Sequence, residues 1–339
     1  MDTLNDKPLL EVNNLSKYFH GKQTVLNRLM KKPPPKLVAL DGVTLNLNRN
    51  ETLGLVGESG SGKSTTACCI IRLYEPDNGS ILYNGQDVLA AHADELREIR
   101  REVQLIYQDP YKSLNPRMTV RATISEPAKV HGLVDRAGGE KLVKNLLDRV
   151  GLPSTVADLR PRALSGGQRQ RVAIARALSL RPKIIIADEA VSALDVSIQA
   201  QILNLFEELR RDLGLSMILI AHQLSVVAHL SQNVAIMYLG RIVEIGSTSE
   251  VFLRPRHPYT AALLKAHPSI ETSRCHTPAL TGEIPSPYSI PKGCRFNTRC
   301  KFTDALCFEV DPPSTEVTPG HYAWCHVLPE YDKITSKQS

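Results

Sequence analysis

The chain has 339 residues, enough for two domains or for one large domain with an appendage, and its 42% hydrophobic and 22% charged residues describe a globular protein with a real core rather than a disordered or fibrous one. Its 41 basic residues barely outnumber its 35 acidic ones and are scattered, so nothing argues for nucleic acid as a partner. No apolar run is long enough to span a bilayer and residues 1–8 are polar, so we expect neither a membrane span nor a signal peptide, a cytosolic protein, and cysteines outside structural disulfides.

Residues 9–15 alternate as a strand and lead into Lys17, Tyr18 and Phe19. The basic stretch 20–36 ends in Pro33, Pro34 and Pro35, which cannot continue a helix, so it is an exposed loop with at most a helical turn over 25–30. Strands follow at 38–47 and 52–56, then a glycine-rich loop, a helix over 65–73, and a hairpin strand at 80–83 with a turn at Asn84-Gly85. From 88 to 163 the pattern is an inserted helical lobe, with helices at 91–100, 120–131 (interrupted or kinked at Pro127) and 139–150 and one strand at 103–107. A helix at 169–178, apolar strands at 184–187 and 217–221, and helices at 196–213 and 224–230 complete the core. Near Leu253 the composition shifts to Pro, Cys, Thr and Ser. We therefore expect a domain over 1–253 and a loop-rich appendage over 254–339, rather than another sheet layer.

The loop after the 52–56 strand reads Gly57-Glu58-Ser59-Gly60-Ser61-Gly62-Lys63-Ser64 and opens a helix at Thr65, the strand–loop–helix context of a P-loop. Glycines at 57, 60 and 62 let backbone N–H groups point inward at phosphate oxygens. Lys63 would reach the β- and γ-phosphates, and Ser64 would place its hydroxyl on Mg²⁺. Asp188 and Glu189 end a second apolar strand: Asp188 suits Mg²⁺ through water, and Glu189 suits polarising an attacking water. His222 ends a third. Ligands of open parallel sheets lie outside the strands' carboxyl ends, so these three ends should converge on one nucleotide. Ser165-Gly166-Gly167-Gln168 has the form of a capping box; its two glycines also expose N–H donors at a helix N-terminus, suggesting a second phosphate-binding device.

Leu164-Ser165-Gly166-Gly167-Gln168, between the P-loop and the Asp188 strand, resembles the signature motif of ATP-binding cassette (ABC) ATPases. The resemblance implies an α/β fold: an ABC-type P-loop NTPase with a RecA-like core, an antiparallel β subdomain, an inserted helical subdomain and a small cysteine-containing C-terminal extension. It implies that two such domains pair head to tail, each signature closing on the γ-phosphate held by the other. It assigns Gln108 to the loop that touches Mg²⁺ and the water and senses a transmembrane partner. Ser192-Ala193-Leu194-Asp195 becomes the loop communicating across the dimer, with Asp195 at its end. His222 becomes the switch residue on the γ-phosphate, and Phe19 the aromatic that stacks on adenine, with Tyr18 its competitor. Gln223 after His222, Ala190 after Glu189 and Arg160-Pro161-Arg162-Ala163 depart from the family pattern without removing a catalytic group.

The segments Pro255-Arg256-His257-Pro258-Tyr259-Thr260, Gly282-Glu283-Ile284-Pro285-Ser286-Pro287 and Gly293-Cys294-Arg295-Phe296 resemble ATPases of dipeptide, oligopeptide and nickel importers, and the chain is most similar to their second ATPase subunit. This implies ATP hydrolysis driving di- or oligopeptide import, with nickel, glutathione or another small solute as the alternative cargo. A soluble cassette protein is a further alternative, although this chain has one cassette and no coiled-coil insertion. The implied partners are a sister ATPase, two permease subunits and an extracytoplasmic solute-binding protein, with the chain peripheral on the cytoplasmic face of the membrane. Cys294, Cys300, Cys307 and Cys325 could hold a [4Fe-4S] cluster, zinc, or nothing. Since no Cys-x-x-Cys knuckle is present, the resemblance favours iron–sulfur.

Overall fold

The computed structural model describes residues 7–21, 34–192, 194–266 and 282–328, so most of the 20–36 insertion, Ala193 and Cys275 lie outside the described residues. The chain divides into two compact units. One comprises Leu10–Asn46, Leu53–Leu89 and His222–Ser339; the other comprises Met1–Leu9, Leu47–Thr52 and Ala90–Ala221.

In the first unit, alternation puts Leu10 and Val12 of the Leu10–His20 strand, and Val43 and Leu45 of Lys36–Leu47, on a buried face. These strands form a four-stranded sheet with Asn78–Tyr83 and Gln86–Asp87. The last two strands pair antiparallel through Asn84 and Gly85, both at positive φ, the turn that Asn-Gly predicts. The Thr52–Val56 strand, buried along its whole length, pairs parallel with Asn233–Tyr238. That strand pairs antiparallel with Arg241–Ser247, whose other edge takes His321–Trp324 and then Ser314–Thr318. The C-terminal extension is thus loop-rich over 282–313 but ends in a hairpin that extends an existing sheet, which its polar composition did not suggest.

A buried carboxylate fastens the extension. Glu244 is fully inaccessible and accepts the backbone N–H groups of Arg256 (2.7 Å) and His257 (2.9 Å), with the Nε2 of His321 at 2.8 Å. His257 is itself fully enclosed, and its Nδ1 accepts the Tyr259 N–H at 3.1 Å. Burial pulls the His257 pKa down to about 3 from 6.5. The unfolded chain therefore takes up this proton first. Stability that is present above pH 6.5 falls by about 1.4 kcal/mol per pH unit from there toward pH 3. Urea midpoints at pH 7 and pH 5 should accordingly separate more for the native chain than for His257→Asn.

In the second unit, Val103–Ile106, Ile184–Asp188 and Ser216–Ala221 form parallel neighbours, the last two wholly buried. Helices Ala93–Glu102, Val120–Val130, Arg136–Arg149, Gly166–Leu178 and Val196–Leu213 accompany them; Val196–Leu213 is stopped by Gly214 at φ 62°. Val120–Val130 runs unbroken through Pro127. Its face of Val120, Thr123, Ile124 and Ala128 is buried, and it packs on Arg136–Arg149 and Gly166–Leu178; that packing outweighs an interior proline's cost of about 3 kcal/mol. No described helix is long and apolar enough to cross a membrane.

Candidate functional site

The Gly57–Ser64 loop joins the Thr52–Val56 strand to the helix Lys63–Ile70 in the first unit. Its glycines serve two different needs. A Cβ on Gly57 would lie 2.1 Å from the Met237 carbonyl oxygen, so this position is glycine because the neighbouring strand's backbone presses on it. Gly60, at φ 79°, has nothing within 4 Å of its missing side chain; there the backbone conformation is the reason. Lys63 is 5% exposed, and its ammonium donates to the carbonyls of Gly57 (2.7 Å) and Glu58 (2.9 Å) and to Ser61 Oγ (3.4 Å). The loop is thus curled around a positive charge. Ser59, Gly60 and Ser64 are exposed, and Ser61 and Thr66 are buried beneath them.

Around this loop the structure shows contacts that no local pattern announces. The Glu58 N–H donates to Tyr259 Oη at 2.9 Å, and the Glu58 carboxylate takes both arms of the Arg299 guanidinium, at 2.7 and 3.1 Å. Sequence reasoning missed Tyr259 and Arg299 as neighbours of the loop, since they lie 201 and 241 positions away.

Phe19 is half-buried, with Tyr74 edge-on at 5.3 Å and the Lys17 ammonium 5.4 Å from its ring centre. Tyr18 carries the Lys36 ammonium 3.5 Å from its own ring centre. His222, in the same unit, is exposed just after the Ser216–Ala221 strand.

In the second unit, Asp188 ends its strand 8% exposed, and Glu189 follows at φ 46°, an uncommon conformation for a non-glycine residue. The turn is held from three sides. Glu189 N–H donates to the Ile220 carbonyl (2.9 Å), and the Ser192 N–H and Oγ reach back to the Glu189 carbonyl at 3.1 and 3.0 Å. Gln108, exposed after Val103–Ile106, donates its Nε2 to Glu189 Oε2 at 2.6 Å. The structure therefore joins two of the residues singled out from sequence. Ser64 offers a hydroxyl oxygen in the first unit, and Gln108 and Asp188 offer amide and carboxylate oxygens in the second, each of the donor type that a hard divalent cation takes.

Ser165 caps the Gly166–Leu178 helix as a true capping box: Ser165 Oγ accepts the Gln168 N–H at 3.3 Å, and Gln168 Oε1 accepts the Ser165 N–H at 3.0 Å. Ser165 and Gly166 are exposed. Gly167 answers to packing as well: a Cβ there would meet Ile198 Cγ2 at 2.7 Å. Asp195 stands at the N-cap position of Val196–Leu213 without a side-chain cap hydrogen bond and is exposed, next to an 82%-exposed Val196.

The four tail cysteines gain no support as a metal site. Cys294, Cys307 and Cys325 are buried, and burial pushes their thiols up, Cys294 to about 12. Among the described residues no group of three or more His, Cys, Asp or Glu side chains is arranged to hold a metal ion. The [4Fe-4S] and zinc expectations for Cys294, Cys300, Cys307 and Cys325 are not supported.

The family of ABC transporters matches residues 40–192, and the oligopeptide/dipeptide transporter C-terminal region matches residues 243–307. The oligopeptide transport ATP-binding protein AppF of Bacillus subtilis is 44% identical over 96% of this chain and 99% of its own length. OppF of Salmonella typhimurium, of the same description, is 47% identical over 90% of this chain and 92% of its own. Among solved structures, the dimeric post-hydrolysis state of the ATP-binding cassette MJ0796 bound to ADP and Pi superposes with a TM-score of 0.62 at 27% identity, covering 70% of this chain and 98% of that one. CbiO1 of Clostridium perfringens, part of the cbiONQ ABC transporter complex, gives the same TM-score at 28% identity over 73% of this chain and 91% of its own.

Proposed function

The chain belongs to the ABC transporter ATPases, among the oligopeptide transport ATP-binding proteins, and on that premise we propose that it binds and hydrolyses ATP to drive import of di- or oligopeptides. In this reading residues 1–253 are the nucleotide-binding domain, 88–163 its helical subdomain and 254–339 the extension. Gly57 to Thr65 cradle the phosphates, Lys63 neutralises them, and Ser64, Gln108 and Asp188 hold Mg²⁺, which supplies charge neutralisation when bound. Phe19 stacks on the base. Glu189 takes a proton from water, and His222 steadies the γ-phosphate. Ser165, Gly166, Gly167 and Gln168, with Asp195, serve the nucleotide held by a sister ATPase. Two permeases and an external solute-binding protein complete the machine, with this chain peripheral on the cytoplasmic face of the membrane.

The hydrogen bond from Gln108 to Glu189 supports this reading most. It puts the residue expected to sense the transmembrane partner on the carboxylate expected to activate water. Chemistry can then be gated by a movement of one amide, which either occupies Glu189 Oε2 or yields that oxygen to the attacking water. We expect Gln108→Ala to cut ATPase activity of the assembled complex on the order of 10- to 100-fold, and to weaken MgADP binding by less, about tenfold at most. Phosphate release and nucleotide titration on the same preparation check this. Deleting the gene and scoring growth on defined peptides, against nickel-limited growth, identifies the cargo.

A further inference from the structure

The Glu58 carboxylate is an awkward neighbour for a polyphosphate. It sits one residue into the loop proposed to bind phosphates, where an uncompensated negative charge repels the ligand. The structure neutralises it with a residue of the C-terminal extension. The Arg299 side chain is 3% exposed, forks onto both Glu58 oxygens, and donates to Tyr238 Oη at 3.3 Å. Its guanidinium carbon lies 5.7 Å from the Tyr238 ring centre and 5.8 Å from that of Phe296. Arg299 cannot swing away freely: its N–H donates to the Phe296 carbonyl (3.0 Å) in a knot where the Cys294 N–H donates to the Cys307 carbonyl and the Thr303 hydroxyl reaches the Asn297 and Cys300 carbonyls. A second contact acts on the same residue, since Tyr259, fully buried, accepts the Glu58 N–H. The Glu58 carbonyl in turn accepts from the Lys63 ammonium. The carboxylate, N–H and carbonyl of one loop residue are thus all held, two of them by the extension.

We propose that Arg299 and Tyr259 are positioning residues of the nucleotide site, through which the C-terminal extension sets the charge and the curvature of the phosphate loop. The proposal rests on the reading of Gly57 to Ser64 as the nucleotide cradle. Without Arg299 the loop keeps a bare carboxylate and loses its outer anchor, so nucleotide binding suffers even though Arg299 touches no nucleotide. The charge component has a distinctive signature: removing the Glu58 charge as well should restore binding.

The test is a fluorescence titration of the full-length chain with Mg²⁺ and a fluorescent ADP, with thermal unfolding recorded on each variant. Arg299→Met should weaken binding about tenfold, Glu58→Gln by about threefold or less, and the double variant should return to within about threefold of the native chain, a non-additive cycle. Arg299→Lys, which keeps the charge, should stay within about threefold. Tyr259→Phe deletes one oxygen and no packing, so it remains informative should Arg299→Met not fold; it should weaken binding about two- to fivefold. A lowered melting temperature with unchanged affinity in these variants, or an Arg299→Met defect that Glu58→Gln does not relieve, would overturn the proposal. Lys63→Ala serves as the reference: if it binds like the native chain, the cradle assignment itself is wrong, whereas its failure beside a normal Arg299→Met sinks this inference alone.

Discussion

Glu189→Gln stops ATP turnover and leaves nucleotide binding intact. The substitution changes one atom of a side chain whose surroundings are already fixed. The backbone at Glu189 is held at φ 46° by hydrogen bonds to Ile220 and from Ser192, and none of them uses the carboxylate. Gln108 donates to Glu189 Oε2, and a glutamine at 189 can present its own carbonyl oxygen to the same donor, so the local geometry survives. What disappears is the proposed base. An amide cannot take a proton from water at neutral pH, and a positioned general base contributes on the order of 10²- to 10⁴-fold. We therefore expect phosphate release by the purified complex to fall by at least about 100-fold, with MgADP affinity within about twofold of native. Near-normal turnover would remove Glu189 from the reaction.

Lys63→Ala produces the largest loss of binding. The Lys63 ammonium is buried and collects the carbonyls of Gly57 and Glu58 and the hydroxyl of Ser61, which makes it the centre around which the loop is wound. Its deletion removes the positive charge proposed to meet the β- and γ-phosphates and also leaves those two carbonyls without their donor. Both losses act on the same site, so we expect nucleotide affinity to fall by at least about 100-fold, with a smaller loss of thermal stability. Lys63→Met keeps most of the packing but, like Lys63→Ala, offers the two carbonyls no donor, so it should recover part of the stability and none of the affinity.

How much of this was legible depended on the distance over which each feature is determined. The Thr52–Val56 strand and the helices Val196–Leu213 and Leu224–Leu230 fall where the residues predict, because each is a continuous apolar or helical pattern ended by a glycine or a polar residue. Asn84-Gly85 announced its hairpin because that turn demands two positive φ angles. The capping box at Ser165 and Gln168 was equally local. The final hairpin was not legible, since Ser314–Thr318 is polar and becomes a strand only by pairing on an edge that Arg241–Ser247 provides. Nor was the reason for Gly57, which depends on the Met237 carbonyl, or the Arg299 fork on Glu58. The tail cysteines mark the limit from the other side. Their spacing suggested a ligand set, and among the described residues no such group is arranged to hold a metal ion.

The central claim is that ATP hydrolysis by this chain drives solute import, and it is tested most directly in proteoliposomes holding the assembled transporter and its solute-binding protein. With the native chain, a labelled oligopeptide should accumulate only when MgATP is supplied on the side where this chain sits, and with Glu189→Gln it should not accumulate at all. Accumulation that continues in the Glu189→Gln complex, or ATP turnover by the native complex that fails to respond to the peptide-loaded binding protein, would contradict the account.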